Sequence, residues 1–321
     1  MSDTIVVFGG SGFIGTHLLK ELTERLPNTR LVSVDISSPK NRLEGVTYIQ
    51  ADVRQLENFD VEGEVTTIFN LAAVHTTPGH ETHEYYETNV AGASQITAFA
   101  RRKSVQSVVF TSSISVYGPE EHMKLETTPP TPKSAYGWSK WLAEGIHRTW
   151  LDEDAQRRLV ICRPAVIFGP NEGGNFTRLA RLLKKGVFIF PGRRDTIKAC
   201  FYVSDLISSI LYAAELKERF VLFNGCYADR YTLEQIVETF KEDHFQKVRI
   251  FDVPRWVVSS AARVLQPVSV LGLGIHPERI TKLVKSTDVF PGWLEERGVA
   301  RRNRLATVLH EWRTETNGRF D

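Results

Sequence analysis

The chain has 321 residues, 42% hydrophobic and 24% charged, which excludes a disordered or fibrous protein. Lysine and arginine total 40 against 38 acidic residues, and the resulting net charge of +2 argues against broad electrostatic capture of nucleic acid. At roughly 150 residues per domain, the length suits one large domain or two smaller ones.

Residues 4–8 read as a short buried strand, followed at once by Gly9-Gly-Ser-Gly-Phe-Ile-Gly15 and a helical pattern to about Arg25, where Pro27 and Asn28 stop it. A second strand over 31–34 ends at Asp35, a third over 46–49 precedes Asp52, and a fourth covers 68–71. The spacing predicts one helix over 84–102, a fifth strand over 108–110 ending in Thr111-Ser-Ser113, a helix over 136–151 and a sixth strand over 159–161. Strands apolar on both faces and separated by helix-length segments predict an α/β fold, a doubly wound parallel sheet covered on both sides. Right-handed crossovers then place the useful loops at the C-terminal strand ends.

After residue 165 glycine and proline become frequent and segments shorten, with helices expected over 176–185, 203–215 and 233–240. This divides the chain into a dinucleotide-binding domain over 1–165, to which segments at roughly 200–225 return, and a mainly substrate-binding α/β domain over 166–321. Cys162, Cys200 and Cys226 are widely spaced and form no Cys-x-x-Cys pair, so reduced, buried thiols and no metal site are expected. The run 5–8 is too short for a secretory signal, and 264–275, interrupted by Pro267, is too short to cross a bilayer. A cytoplasmic protein without a membrane span is the expectation.

The glycine motif carries the cofactor signal. Gly9 permits the tight turn after the first strand, Gly12 lets the backbone approach a pyrophosphate, and Gly15 allows close helix–sheet packing. The helix N-terminus then offers amides to the phosphates, with Phe13 and Ile14 in its first turn. Asp35, beside Ile36, stands where a carboxylate accepts hydrogen bonds from a ribose diol and repels a 2′-phosphate, which favours NAD over NADP. Asp52, followed by Val53, is placed either to meet the adenine edge or to close a turn.

Tyr136-Gly-Trp-Ser-Lys140 sets Tyr136 and Lys140 on one helix face. Lys140 lowers the tyrosine pKa and holds a ribose; Tyr136 exchanges a proton with a hydroxyl or carbonyl as hydride moves; Ser113 binds the same oxygen.

These residues resemble the extended short-chain dehydrogenase/reductase family, in particular its NAD-dependent nucleotide-sugar epimerase/dehydratase branch. The matching text is Val7-Phe-Gly-Gly-Ser-Gly-Phe-Ile-Gly15, Asp52-Val53, Asn70-Leu-Ala-Ala73, Asn89-Val-Ala-Gly92, Ser112-Ser-Ile-Ser-Val-Tyr-Gly118, Tyr136-Gly-Trp-Ser-Lys140, Arg163-Pro-Ala-Val-Ile-Phe-Gly-Pro170 and Phe201-Tyr-Val-Ser-Asp-Leu206. The resemblance implies a Rossmann-type sheet binding NAD and a smaller C-terminal substrate domain. It implies catalytic roles for Ser113, Tyr136 and Lys140, a dinucleotide lining from Leu71, Ala72 and Ala73, support from Asn89, and a homodimer built through helices.

The reaction narrows at the two positions after Ser113. Dehydratases of the family resemble Thr-Asp-Glu in this stretch and decarboxylases carry a Glu; here Ile114 and Ser115 do no proton work near neutral pH. A 4-epimerase, which returns its hydride, and a 4-ketoreductase or dehydrogenase, which exchanges cofactor, both remain. A hydroxysteroid-type dehydrogenase and a non-catalytic NAD sensor are more distant alternatives. Two departures stand against a sugar epimerase: Val166 replaces an Asn common after the sixth strand, and Lys198 replaces an Arg, keeping charge without the bidentate fork. An anionic substrate, a nucleoside-diphosphate sugar, is favoured by Arg193, Arg194, Lys198 and Arg279, with Asn175, His75 and Ser115 as further candidate contacts.

Overall fold

A computed structural model describes residues 3–76, 79–253 and 285–321. The apolar segment 264–275 and Arg279 lie outside the described residues. The contacts divide the chain into two compact units. The first comprises Met1–Gly118, Thr128–Pro164 and Val203–Gly225; the second comprises Pro119–Thr127, Ala165–Tyr202 and Cys226–Asp321.

The first unit is built on seven parallel strands: β1 (Thr4–Phe8), β2 (Arg30–Asp35), β3 (Val46–Gln50), β4 (Val65–Asn70), β5 (Ser107–Thr111), β6 (Arg158–Pro164) and β10 (Phe220–Gly225). Their order is β10-β6-β5-β4-β1-β2-β3. The chain winds outward from β1 through β2 and β3, then restarts at β4 on the other side. The β1/β4 boundary is therefore the switch point, and the glycine turn sits at its C-terminal end. The sequence predicts six of these strands; β10 is added at the far edge, in register with β6 from Phe220↔Leu159 to Gly225↔Pro164.

Alternation along the strands fills two cores. Val6, Phe8, Val32, Val34, Ile68, Val108, Phe110, Leu159 and Ile161 pack with Ala93, Ile96, Phe99 and Ala100 of α3 (Gly92–Arg102) and Ala143 and Trp150 of α4 (Ala135–Asp152). On the other face α1 (Phe13–Arg25) buries Leu18, Leu19 and Leu22 beside α6 (Val203–Glu215), which buries Leu206, Ile207, Ile210 and Leu211. Each fully buried aliphatic side chain contributes about 1.5–3 kcal/mol, and helices on both faces satisfy the parallel sheet's need for cover.

The helix expected over 84–102 is interrupted. A short α2 (Thr82–Tyr86) passes through a π-helical turn at Glu87–Ala91 before α3 begins. A single π turn of five residues inside otherwise helical text carries no distinct apolar pattern of its own.

The second unit holds two parallel pairs. The first is β7 (Val166–Phe168) with β9 (Cys200–Tyr202), and the second is β8 (Val187–Pro191) with β11 (Arg249–Val253). It also carries α5 (Asn175–Lys184), α7 (Leu233–His244), α8 (Gly292–Glu296) and α9 (Leu305–Glu315). Its core is aromatic: Phe168 stacks on Phe176 at 4.1 Å, and Trp312, fully buried, meets Phe168 and Phe320 at 6.0 and 5.2 Å. Cys162, Cys200 and Cys226 are free thiols, and all three are buried.

Candidate active site

The glycine turn is held by backbone contact that no side chain would tolerate. Gly9 has φ +80°, and a Cβ there would lie 2.7 Å from the Ala72 amide nitrogen. A Cβ on Gly15 would lie 2.3 Å from the Gly9 carbonyl oxygen. The turn is thereby pressed against Leu71 and Ala72 at the end of β4, and the Leu71 N–H donates to the Phe8 carbonyl at 2.9 Å. Gly12 caps α1 with no side-chain bond, and no acidic residue stands in the first helical turn. The N-terminal amides and the positive end of the helix dipole are therefore offered to an anion across a glycine-lined backbone. These residues fit a dinucleotide pyrophosphate.

Asp35 closes the same region. Its carboxylate accepts from the Ser11 N–H at 3.1 Å and from the Ser37 N–H at 2.9 Å, which ties the end of β2 to the glycine turn. A carboxylate has about four lone-pair sites, so acceptor capacity remains for a ribose diol. Ile36 beside it is 60% exposed, an apolar surface next to that position. Asp52 is engaged as a turn residue. Arg54 donates to it through its backbone N–H at 2.9 Å and through its guanidinium at 2.6 Å, and that hydrogen bond holds the carboxyl below its ordinary range. Val53 is buried against Gly92, where a Cβ would come within 2.9 Å of it.

Ser113 and Tyr136, two of the three expected catalytic residues, meet where β5 ends and α4 begins. Ser113 caps a 3-10 turn over Ile114–Tyr117 and accepts from the Ser115 N–H at 3.1 Å. Tyr136, in the first turn of α4, is hydrogen-bonded to Ser113. Burial raises the Tyr136 pKa, and the Ser113 bond acts in the opposite direction. Gly137 makes the approach possible, because a Cβ there would lie 2.5 Å from the Ser115 carbonyl oxygen. Lys140 follows one turn later, 2% exposed, with Nζ 4.6 Å from the Phe110 ring centroid. Burial lowers its pKa to about 7 against the opposing pull of Glu144.

Several buried groups that spacing does not reveal hold this arrangement. Asn89, in the π turn, accepts from the Val74 N–H at 2.9 Å and donates to the Val74 carbonyl at 3.0 Å and the Ser139 hydroxyl at 2.8 Å. Ser139 donates in turn to the Tyr136 carbonyl at 2.9 Å. His147 donates through Nδ1 to the Ala143 carbonyl at 2.7 Å and accepts at Nε2 from Asn70 at 3.2 Å, the neutral form. Burial lowers its pKa to about 4, and it stacks on Phe110 at 4.2 Å. Further along α4, Glu144 takes a bidentate bond from Arg163 at 2.9 and 2.7 Å. Arg163 also donates to the Tyr117 hydroxyl at 2.8 Å, and Tyr117 donates to Asn224 at 2.8 Å. All four are buried to within 1%. Burial is the largest influence and opposes the Arg163 charge, but the hydrogen bonds and charge of Glu144, together with Tyr117, raise the pKa overall. This network ties the Ser113 turn to the helix that carries Tyr136 and Lys140. Its sequence signals were Asn70, Asn89, Tyr117 and Arg163 inside the matching text; Glu144, His147 and Asn224 gave none.

The expected substrate contacts fall differently. His75 is exposed at the end of the segment after β4. Arg193 binds Asp195 at 2.6 Å and Glu121 at 3.1 Å, and Arg194 binds Asp252 at 2.6 Å and Glu234 at 3.0 Å. Lys198 donates to the Lys285 carbonyl at 2.7 Å, and burial lowers its pKa to about 8. Asn175 opens α5, but Glu172 already accepts from the Phe176 and Thr177 amides at 3.3 and 2.9 Å. The second unit's carboxylates thus answer the two arginines, and the sequence did not place them there.

The family model for the NAD dependent epimerase/dehydratase family matches residues 5–224. N-acetyl-alpha-D-glucosaminyl-diphospho-ditrans,octacis-undecaprenol 4-epimerase of Escherichia coli O157:H7 is 30% identical over 79% of this chain and 76% of its own length. UDP-glucose 4-epimerase of Vibrio cholerae is 30% identical over 70% of this chain and 72% of its own. The crystal structure of UDP-glucose 4-epimerase with UDP-glucose from Thermotoga maritima is similar at a TM-score of 0.75 and 20% identity, over 98% of this chain and 99% of that one.

Proposed function

We propose that the chain, which belongs to the NAD dependent epimerase/dehydratase family, is an NAD-dependent 4-epimerase acting on a hexose linked through a diphosphate, in the first instance a nucleoside-diphosphate sugar. The observation that carries this reading is the 3-10 turn after β5. It brings Ser113 to Tyr136 while Ile114 and Ser115 fill the next two positions, so no second acid or base follows the serine. Dehydration needs such a group; hydride removal and return do not. The curated relatives support the same chemistry, since two of them are named as 4-epimerases of sugars joined to a diphosphate.

Bound at the glycine turn, NAD supplies the hydride acceptor and returns the hydride. The chain's residues do the rest. Ser113 positions the C4 oxygen, and Tyr136 takes its proton through the hydrogen-bonded pair. The Lys140 ammonium favours the phenolate electrostatically. Lys140 titrates near neutrality, so a modest change in its surroundings resets its charge. The reverse proton transfer from Tyr136 completes the second half-reaction on the opposite sugar face.

Trp138 and Leu142, one turn apart on α4 and 45% and 44% exposed, support a homodimer built on that helix.

The test is a panel of nucleoside-diphosphate and polyprenyl-diphosphate hexoses, read by NMR and mass. A change at C4 without mass change or net NADH supports the epimerase. Stoichiometric NADH gain or loss makes it a dehydrogenase or reductase.

A further inference from the structure

We infer that the second unit carries a docking surface for an anionic lipid bilayer, formed by the outward face of β8 and β11 and the C-terminal end of α5. The inference stands on this surface alone and is independent of the reaction.

Leu182, Val187, Ile189 and Phe251 keep 48%, 46%, 51% and 51% of their surface open. The parallel register pairs Arg249 with Val187 and Phe251 with Ile189, which places these four strand residues on one face. The alternate residues Phe188 and Phe190 are buried at 8% and 1%, so the inner face is the packed one. An aromatic and two branched aliphatic side chains therefore point outward from a two-stranded sheet.

The charge around this face has one sign. From Gly173 to Arg194 the sequence contains no acidic residue. Arg178, Arg181, Lys184 and Lys185 are exposed along and just beyond α5, and Lys247 and Arg249 are exposed at the start of β11. No ion pair engages any of these six among the described residues. Asp252, the acid within β11, sits at the alternate register position and is held by Arg194 at 2.6 Å. Glu242 and Asp243 of α7 are the nearest acids in sequence before Lys247.

Outward apolar side chains with Arg249 on the same face, and Lys184, Lys185 and Lys247 exposed just before the two strands begin, match the interface of an anionic membrane, where the apolar groups enter the headgroup boundary and the cations meet phosphate. A second copy of the same face is disfavoured, because it would set the α5 cations against one another. Among the described residues no helix is long and apolar enough to cross a membrane, so the attachment is peripheral.

The test is co-sedimentation of the full chain with vesicles of phosphatidylcholine alone or mixed equally with phosphatidylglycerol. Binding is expected only to the mixed vesicles and weakens at about 0.5 M salt, where the Debye length falls to a few ångströms. Lys184→Glu/Lys185→Glu and, separately, Ile189→Ser/Phe251→Ser should each reduce the bound fraction about tenfold or more. NAD affinity, which reports the folded first unit, and the thermal unfolding midpoint should be retained in both. Absence of wild-type binding overturns the inference, as does equal binding by both folded variants. A solution oligomer that dissociates in Ile189→Ser/Phe251→Ser without any vesicle binding makes the face a self-interface and also overturns it.

Discussion

The side-chain amide of Asn89 donates to the Ser139 hydroxyl at 2.8 Å, which links the π turn to the carbonyl of Tyr136. The same Asn89 holds Val74 through both its amide nitrogen and its oxygen. One buried side chain therefore joins the segment that follows β4 to the helix that carries the tyrosine. Asn89→Ala should lower kcat about a hundredfold, since small misplacements of reacting groups have effects of that size. Steady-state kinetics with wild-type kcat in a folded Asn89→Ala protein would remove this role.

Tyr136→Phe should lower turnover by about a thousandfold, within the usual range for a lost proton-transfer group. NAD titration of the same variant should give near wild-type affinity, because the glycine turn is untouched. Wild-type turnover in Tyr136→Phe would exclude the tyrosine as acid and base.

Gly15→Ala should abolish NAD binding. Its Cβ would stand 2.3 Å from the Gly9 carbonyl and 2.7 Å from the Gly10 Cα, so the turn must open. Retained affinity in calorimetric titration would show that the turn relaxes without harm.

Glu144→Gln leaves Arg163 charged, 1% exposed and without its carboxylate. Breaking a buried pair from one side destabilises by about 3–5 kcal/mol, and urea unfolding should show a loss of that order. Replacing both partners by apolar residues should recover much of it. A Glu144→Gln protein as stable as wild type would show that Arg163 finds another acceptor.

Two buried bases on α4 contribute to the pH dependence of stability, and Lys198 adds to it on the alkaline side. His147 titrates near 4 in the fold against an ordinary value of 6.5, so the unfolded chain binds the proton first as pH falls. Stability should therefore decline from about pH 6.5 toward pH 4, by about 1.4 kcal/mol per pH unit at most from this group. Lys140 titrates near 7 against 10.5, so its burial penalty is relieved as pH rises between those values. Both slopes have the same sign. Urea midpoints across pH should show them, with Lys140→Met flattening the alkaline branch; an unchanged alkaline branch would contradict the assignment.

The doubly wound sheet was legible because its first six strands are short, apolar-rich runs, most of them set between helix-length segments, even though Ser or Thr interrupts β2, β3 and β4. The glycine turn was legible because Gly9 and Gly15 stand where only backbone fits. β10 was not: the sequence leads to the expectation that segments at roughly 200–225 return to the first domain, but it does not mark Phe220–Gly225 as a further strand of the sheet. The π turn escaped because it is a single turn, Glu87–Ala91, between two α-helical segments. The Arg193 and Arg194 cluster read as a phosphate clamp although Asp195 stands two residues from Arg193, because the other partners, Glu121, Glu234 and Asp252, lie 72, 40 and 58 residues away. Charge in sequence is visible at once; its neutralisation across the fold is not.

The central claim is that hydride leaves and returns to the same sugar carbon within one site. Conversion of a nucleoside-diphosphate hexose carrying deuterium at C4 tests it most directly. The account predicts C4-inverted product that keeps its deuterium, with no NADH accumulating. Product that has lost the label to NADH released into solution would contradict it.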